Sequence, residues 1–213
     1  MSGKLIVFEG IDGAGKSTQL SMLYQYLQQR GYNLMTTREP GGTPVGEEVR
    51  SILLNPLHGD LQHRAEAFLY AAARSQLVYQ VIKPALREGK IVLCDRFVDS
   101  TMAYQGYGRG ISRNFLQQIN DLATGGLQAD LVLVFDLPVE ESFKRVNKRS
   151  TGDRLEQETH SFFQRVREGY LEIARQQCHN HLVMDASLSV EELQRQVRTV
   201  VDNFIDGKLR ESD

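Results

Sequence analysis

Residues Leu5 to Leu20 read LIVFEGIDGAGKSTQL, and the Gly10-to-Ser17 stretch inside them decides the fold. Gly10 is followed by the four variable positions Ile11, Asp12, Gly13 and Ala14, then by Gly15, Lys16 and Ser17, which fits GxxxxGK(S/T). The apolar run Leu5-Ile6-Val7-Phe8 before it has the character of a buried strand. After it, Leu20, Leu23 and Leu27 recur at helical spacing. Strand, glycine loop and helix are the context a phosphate-binding loop requires. The glycines let backbone N–H groups curl around phosphate oxygens, and the new helix points its positive dipole end at the anion. In this geometry Lys16 reaches the outer phosphates and the Ser17 hydroxyl ligates Mg2+, so the stretch from Gly10 to Thr18 implies a nucleoside-triphosphate site.

Outward from this loop, apolar runs at 5–8, 34–37, 91–94, 131–136 and 182–185 alternate with helical patterns at 18–30, 45–55, 64–88, 112–123, 139–149, 157–177 and 189–205. Such alternation predicts an α/β fold with a five-stranded parallel sheet covered by helices on both faces. The 213 residues suit a single domain, 1–213, with no repeat or long linker. Hydrophobic content of 41 % and charged content of 24 % are ordinary, and a net charge of −2 offers no general attraction to nucleic acid or membrane. No apolar run reaches the ~18 residues of a membrane helix. The chain enters its first strand too soon for a signal peptide, and its two cysteines, Cys94 and Cys178, make no disulfide framework, so a reducing cytoplasm is expected. The last residues, from Gly207, are expected to fray.

In a parallel sheet of this kind, ligands sit beyond the carboxyl ends of the strands. That rule lines up the Gly10 loop, Arg38-Glu39-Pro40 and Asp95-Arg96 along one rim. Asp95 ends a strand where a carboxylate can hold Mg2+, and Arg96 can pair with phosphate; alone, the dipeptide also fits a strand-end ion pair. The basic run Lys144-Arg145-Val146-Asn147-Lys148-Arg149, interrupted by Ser150-Thr151-Gly152, fits a solvated helix face. Beside a phosphate loop this segment, which ends at Arg154, reads better as a mobile lid near 145–156 that supplies arginines to the transferring group. The segment Tyr104-Gln105-Gly106-Tyr107-Gly108-Arg109-Gly110 fits either a flexible substrate loop or an aromatic turn. His179 and His181 have no neighbouring Cys/His cluster, which argues against a metal site there.

Six strings, FEGIDGAGKST, TREPGGT, AEAFLYAAARSQ, DRFVDSTMAYQGYGRG, DLVLVFDLP and DRLEQE, together resemble the motifs of bacterial-type thymidylate kinases, in family order and over roughly residues 4–187. The resemblance implies a three-layer P-loop fold, ATP as donor with Mg2+, dTMP as acceptor and a homodimer. It places Asp12 at the deoxyribose 3′-hydroxyl, Arg38 and Arg96 at the dTMP phosphate and Arg74 at thymine. Ser100, Thr101 and Tyr104 fall at the same substrate, and Tyr70 stands where the family stacks a phenylalanine on the base. Gly13 occupies the place of a eukaryotic-type arginine, which leaves the catalytic arginine to the lid, near Arg149 or Arg154. A second small-molecule P-loop kinase remains the nearest rival. A GTP-dependent switch needs Asn-Lys-x-Asp, whereas Asn147-Lys148-Arg149-Ser150 offers guanine no carboxylate.

Overall fold

A computed structural model describes residues 3–146 and 154–207. Five strands form one parallel sheet in the order β2-β3-β1-β4-β5: β1 Lys4–Glu9, β2 Leu34–Arg38, β3 Ile91–Asp95, β4 Leu131–Asp136 and β5 His181–Asp185. Helices cover both faces: α1 Lys16–Gln29, α2 Pro44–Leu54, α3 His63–Leu77, α4 Lys83–Arg87, α5 Val98–Thr101, α6 Arg113–Thr124, α7 Val139–Val146, α8 His160–Gln176 and α9 Val190–Ile205. The three central strands, β3, β1 and β4, are apolar along nearly their whole length because successive side chains enter two different cores. Leu5, Val7, Val92, Cys94, Val132 and Val134 pack toward Ile82, Phe162 and Val166 on one face. Ile6, Phe8, Leu93, Leu131, Leu133 and Phe135 pack toward Leu23, Leu27, Val197 and Val201 on the other.

Register brings the strand ends into line. Phe8 pairs with Asp95, and Arg38 pairs with the same Asp95 from the other side. The rim is then tied by Glu39 N donating to Asp95 O at 2.9 Å and Arg96 N donating to Phe8 O at 2.9 Å. Helix starts follow their local chemistry. Thr43 caps α2 ahead of Pro44, Thr159 caps α8, and Ser189 with Glu192 forms a reciprocal capping box on α9.

Two stretches differ from the sequence-based expectation. The helix expected at 64–88 runs without interruption from His63 to Arg87, but as α3, a π-helical turn at Val78–Ile82, and α4. Pro84 explains the π-helical turn: it has no N–H for the Gln80 carbonyl, and its ring forces that carbonyl aside, which the wider turn accommodates. The glycine-tyrosine stretch is neither a flexible loop nor a turn, because Met102–Gly108 is π-helical and packs on α8. A Cβ on Gly108 would lie 2.6 Å from Phe162, and one on Gly169 would lie 2.7 Å from Tyr107. The glycines there permit close helix approach. The expected extension of α7 to residue 149 and the fraying beyond Gly207 lie outside the described residues.

Candidate active site

The phosphate loop is held against the sheet. Gly10 has φ 135°, and a Cβ there would sit 2.5 Å from the Phe135 carbonyl oxygen. Gly15, in the left-handed region at φ 87°, is the N-cap of α1 and contributes no side-chain cap, so the first N–H groups of α1 face the chamber. Lys16 is only 6 % exposed. Its Nζ donates to Gly10 O at 2.9 Å and Ile11 O at 3.0 Å, within reach of the loop it serves. Burial first, then the Arg96 charge, lowers its pKa.

Ser17 Oγ donates to Asp95 Oδ2 at 2.7 Å, while the buried Asp95 Oδ1 has no partner among the described residues. These two groups, with Gly13, Lys16, Thr18, Arg38 and Arg96, line a chamber of about 280 Å3. Arg96 adopts φ 70°, the one non-glycine residue in the left-handed region among those described. Strain of this kind persists only where surroundings over-determine it. Here Arg96 Nη1 donates to Gly10 O at 2.9 Å and Tyr170 OH at 3.0 Å, and Nη2 donates to Asp12 Oδ1 at 2.7 Å. Burial works to raise the Asp12 pKa, but the Arg96 and Lys16 charges outweigh it and hold the carboxyl at about 2. Arg38 is exposed and paired with Glu47 at 3.0 Å.

Beside this chamber lies a smaller one of about 70 Å3, lined by Asp12, Tyr70, Arg74, Arg96, Ser100, Thr101 and Tyr104 together with Glu39 and Leu155. Tyr70 and Arg74, one helical turn apart on α3, both enter it. Arg74 is 1 % exposed, so it is a buried side chain of the chamber wall and not a solvated edge of the helix. Its Nε donates to Glu39 Oε2 at 2.7 Å, Nη1 to Asn120 Oδ1 at 2.6 Å, and Nη2 to Phe97 O at 3.0 Å. Glu39 Oε1 and Thr101 Oγ1, both lining this chamber, are buried without a partner among the described residues. Such orphaned groups are costly unless a ligand or water completes them. Ile11 and Ala14 pack beneath the loop rather than facing either chamber.

Neither expected lid arginine is seen at the phosphate loop among the described residues. Arg149 lies outside the described residues. Arg154 lines neither chamber. Its Nη2 donates to Glu66 Oε2 at 2.5 Å and its Nε to Leu53 O at 2.8 Å. In this arrangement Arg154 braces α2 and α3 and does not reach the phosphate loop. The expectation read the arginine's charge and neighbours in sequence, which carry no sign of the buried carboxylate waiting for it.

Sequence reasoning passed over Arg50, which lines both chambers and donates to Pro40 O at 2.9 Å. The signal existed: Gly46 and Leu53 are the buried residues of α2, and Arg50 lies between them at helical spacing. Glu39 was quoted only as part of a loop, yet it anchors Arg74. His181 is committed to Asp99 at 2.7 Å.

A phosphate loop, an adjoining carboxylate and a second chamber opening on the same arginine fit a P-loop enzyme that moves a phosphoryl group between two bound substrates. The thymidylate kinase family model matches residues 8–197. The thymidylate kinase of Pelotomaculum thermopropionicum is 50 % identical over 99 % of this chain and 100 % of its own length. That of Desulforudis audaxviator is 51 % identical over 87 % of this chain and 84 % of its own. The crystal structure of thymidylate kinase from Ehrlichia chaffeensis superposes with a TM-score of 0.78 at 35 % identity, covering 95 % of this chain and 99 % of that one. The chain belongs to the thymidylate kinase family: it phosphorylates dTMP to dTDP with ATP as the phosphoryl donor. No helix among the described residues is long and apolar enough to cross a membrane.

Proposed function

We propose that the larger chamber holds the ATP phosphates and the smaller one the dTMP nucleoside, with Arg96 at their junction. The observation that carries this reading is that Arg96 and Asp12 line both chambers while Lys16 lines only one and Tyr70 and Arg74 only the other. The acceptor phosphate has a second pKa of about 6 and is largely dianionic at neutral pH, so no general base is needed. Catalysis is then positioning and charge neutralisation. Lys16 Nζ moves from the loop carbonyls to the outer phosphates, the N–H groups of Gly13 to Thr18 cradle them, and Arg38 and Arg96 hold the acceptor phosphate. Asp12 sits beside Arg96 and Tyr104 and accepts from the sugar hydroxyl. Arg149 stays assigned to the lid.

Ser17 Oγ and the Asp95 carboxylate, with its unpartnered Oδ1, are the hard oxygen donors Mg2+ prefers. Held by Ser17 and Asp95, Mg2+ would supply positive charge against the charge that develops on the transferring phosphoryl group.

In the smaller chamber the Tyr70 ring stacks on thymine, Arg74 donates to thymine O4, and the Thr101 hydroxyl accepts from the base. Cytosine presents an amino donor where thymine presents O4, so Arg74 would face donor against donor. The substitution Arg74→Lys retains a cation for Glu39 while removing the fork. It is expected to narrow the preference for dTMP over dCMP by about tenfold to a hundredfold, the worth of one good polar base contact, with KM for ATP unchanged. Steady-state kinetics with both acceptors reads this directly, and an unchanged ratio would remove Arg74 from the base site.

The apolar outer face of α3 and α6 supports a homodimer. Leu122 is 79 % exposed and Phe68 52 %, and Phe68 meets Phe115 edge-on across the two helices. Large exposed apolar side chains on neighbouring helices support an interface there. Light scattering is expected to return twice the mass of one chain, falling to one chain's mass in Leu122→Asp; a monomer in the unmodified protein would overturn the assignment. One sheet with a core on each face supports a single domain. The free cysteines, Cys94 buried and Cys178 exposed, support a reducing, cytoplasmic setting.

A further inference from the structure

β1 ends in a carboxylate that lines neither chamber. Glu9 is 0 % exposed, yet its hydrogen bonds all serve the residue at the junction of the two chambers. Oε1 accepts from the backbone N–H groups of Phe97 at 2.7 Å and Ser100 at 3.3 Å, which fixes the turn that follows Arg96. Oε2 accepts from Ser100 Oγ at 2.6 Å and Tyr170 OH at 3.1 Å. Those two hydroxyls in turn accept from Arg96 Nη1, at 3.3 and 3.0 Å. A hydroxyl has one hydrogen and two lone pairs. The carboxylate claims the hydrogen of each, so the lone pairs are left to face the guanidinium. Without that charge, the 2.8 Å contact between Ser100 Oγ and Tyr170 OH can take one hydrogen and turn an acceptor away from Arg96.

We propose that Glu9 is a positioning residue for acceptor-phosphate binding, aiming the Arg96 guanidinium through Ser100 and Tyr170 and holding its left-handed backbone through Phe97. The proposal rests on the reading of Arg96 as a holder of the dTMP phosphate. It assigns to a residue outside both chambers a share of dTMP affinity, and none of the affinity for the unphosphorylated nucleoside.

The charge on Glu9 is itself poised. Burial first, then the nearby Asp99 carboxylate, raises its pKa to about 7, with Arg96 acting in the opposite direction. Asp99 is in turn paired with His181, and Lys16, Cys94 and Tyr170 also feel the Glu9 charge. The ionised form aims Arg96, so dTMP affinity rises with pH through this step, in addition to the acceptor phosphate's own ionisation at about 6. The stability link has the opposite sense. A carboxyl with a raised folded pKa favours the fold below its unfolded value of 4.5, and that contribution is lost as pH rises through about 7.

The test compares Glu9→Gln with the unmodified protein by equilibrium binding of dTMP and of thymidine, by kinetics, and by thermal unfolding at pH 8. Expected is a roughly tenfold weaker dTMP affinity, the order of one charge-assisted hydrogen bond, with kcat and the KM for ATP changed far less. Thymidine affinity stays the same, the pH step near 7 disappears, and thermal stability at pH 8 is no lower than before. Tyr170→Phe, which removes one relay hydroxyl, is expected to show the same pattern at smaller size and serves if Glu9→Gln does not fold. Equal weakening of thymidine and dTMP, or no weakening of dTMP, would overturn the proposal. Arg96→Lys is run alongside. If it leaves dTMP affinity intact, the phosphate-site reading itself fails; if it weakens dTMP while Glu9→Gln does not, the relay alone fails.

Discussion

Lys16→Ala is expected to lower dTDP formation by about two to three orders of magnitude, the effect of removing one preorganised charge from a transferring group. The side chain is almost fully buried, but little of that burial is core packing. Its two acceptors keep other partners: Gly10 O still accepts from Arg96 Nη1 at 2.9 Å, and Ile11 O still accepts from Ala14 N at 3.4 Å. The fold therefore survives the change, and circular dichroism and thermal unfolding should overlay closely. Burial first, then the Arg96 charge, lowers the Lys16 pKa while Asp95, Asp12 and Glu9 act the other way, and an incoming polyphosphate would add to the negative charge those carboxylates supply. Binding of dTMP should persist in the variant, since Lys16 does not line the smaller chamber. A variant that keeps near-normal turnover would show that the phosphates lie elsewhere.

The largest stability effect is expected at Glu66, a residue with no catalytic part. It is 0 % exposed on α3 and receives Gln105 Nε2 at 2.7 Å, Arg154 at 2.5 Å and Arg109 at 3.4 Å. Arg109 also pairs with Glu158, so one carboxylate gathers α3, the π-helical turn at Met102–Gly108 and the chain entering α8. Glu66→Gln keeps the shape and removes the charge, which leaves Arg154 buried without its counter-ion. Breaking a buried pair from one side costs about 3–5 kcal/mol, or roughly 6–20 °C in Tm for a chain of this size. The pH dependence follows from the direction of the Glu66 pKa. Burial raises it, but Arg109, Gln105 and Arg154 outweigh burial and leave it below the usual 4.5. Its contribution is thus complete above 4.5 and is lost as pH falls through the lower folded value. Urea unfolding at pH 7 and at pH 4 should show the gap between wild type and Glu66→Gln closing at the acid end. A Tm within about 1 °C of wild type at pH 7 would contradict the buried-pair account. Arg154→Ala should share most of this loss, since it empties the same contact.

What could be read from residue order was whatever depends on local spacing. The Gly10-to-Ser17 loop, the five apolar runs and the charged strand ends all report a backbone path, and the sheet places them as that path requires. Tyr70 and Arg74 were legible as base-site residues only through the family resemblance; helical spacing adds that residues four apart share one face of α3. The partners that decide what a side chain can do come from distant segments and were not legible. Arg74 finds Glu39 and Asn120, Arg154 finds Glu66, and Arg96 finds Tyr170, each across at least 35 residues. Glycine is ambiguous for the same reason. Gly106 and Gly108 fitted either a flexible loop or an aromatic turn, whereas the missing Cβ of Gly108 admits Phe162 from α8. Arg50 shows the converse: its helical neighbours pointed inward, and its own charge hid that it does the same.

The most direct test of the two-chamber account is product formation by the purified chain with ATP and each nucleoside monophosphate in turn, in Mg2+ and again in excess chelator. The account expects dTDP and ADP in equal amounts from dTMP, at least about tenfold slower use of dCMP, and loss of turnover on chelation. Equal or faster phosphorylation of dCMP, or full activity in chelator, would contradict it.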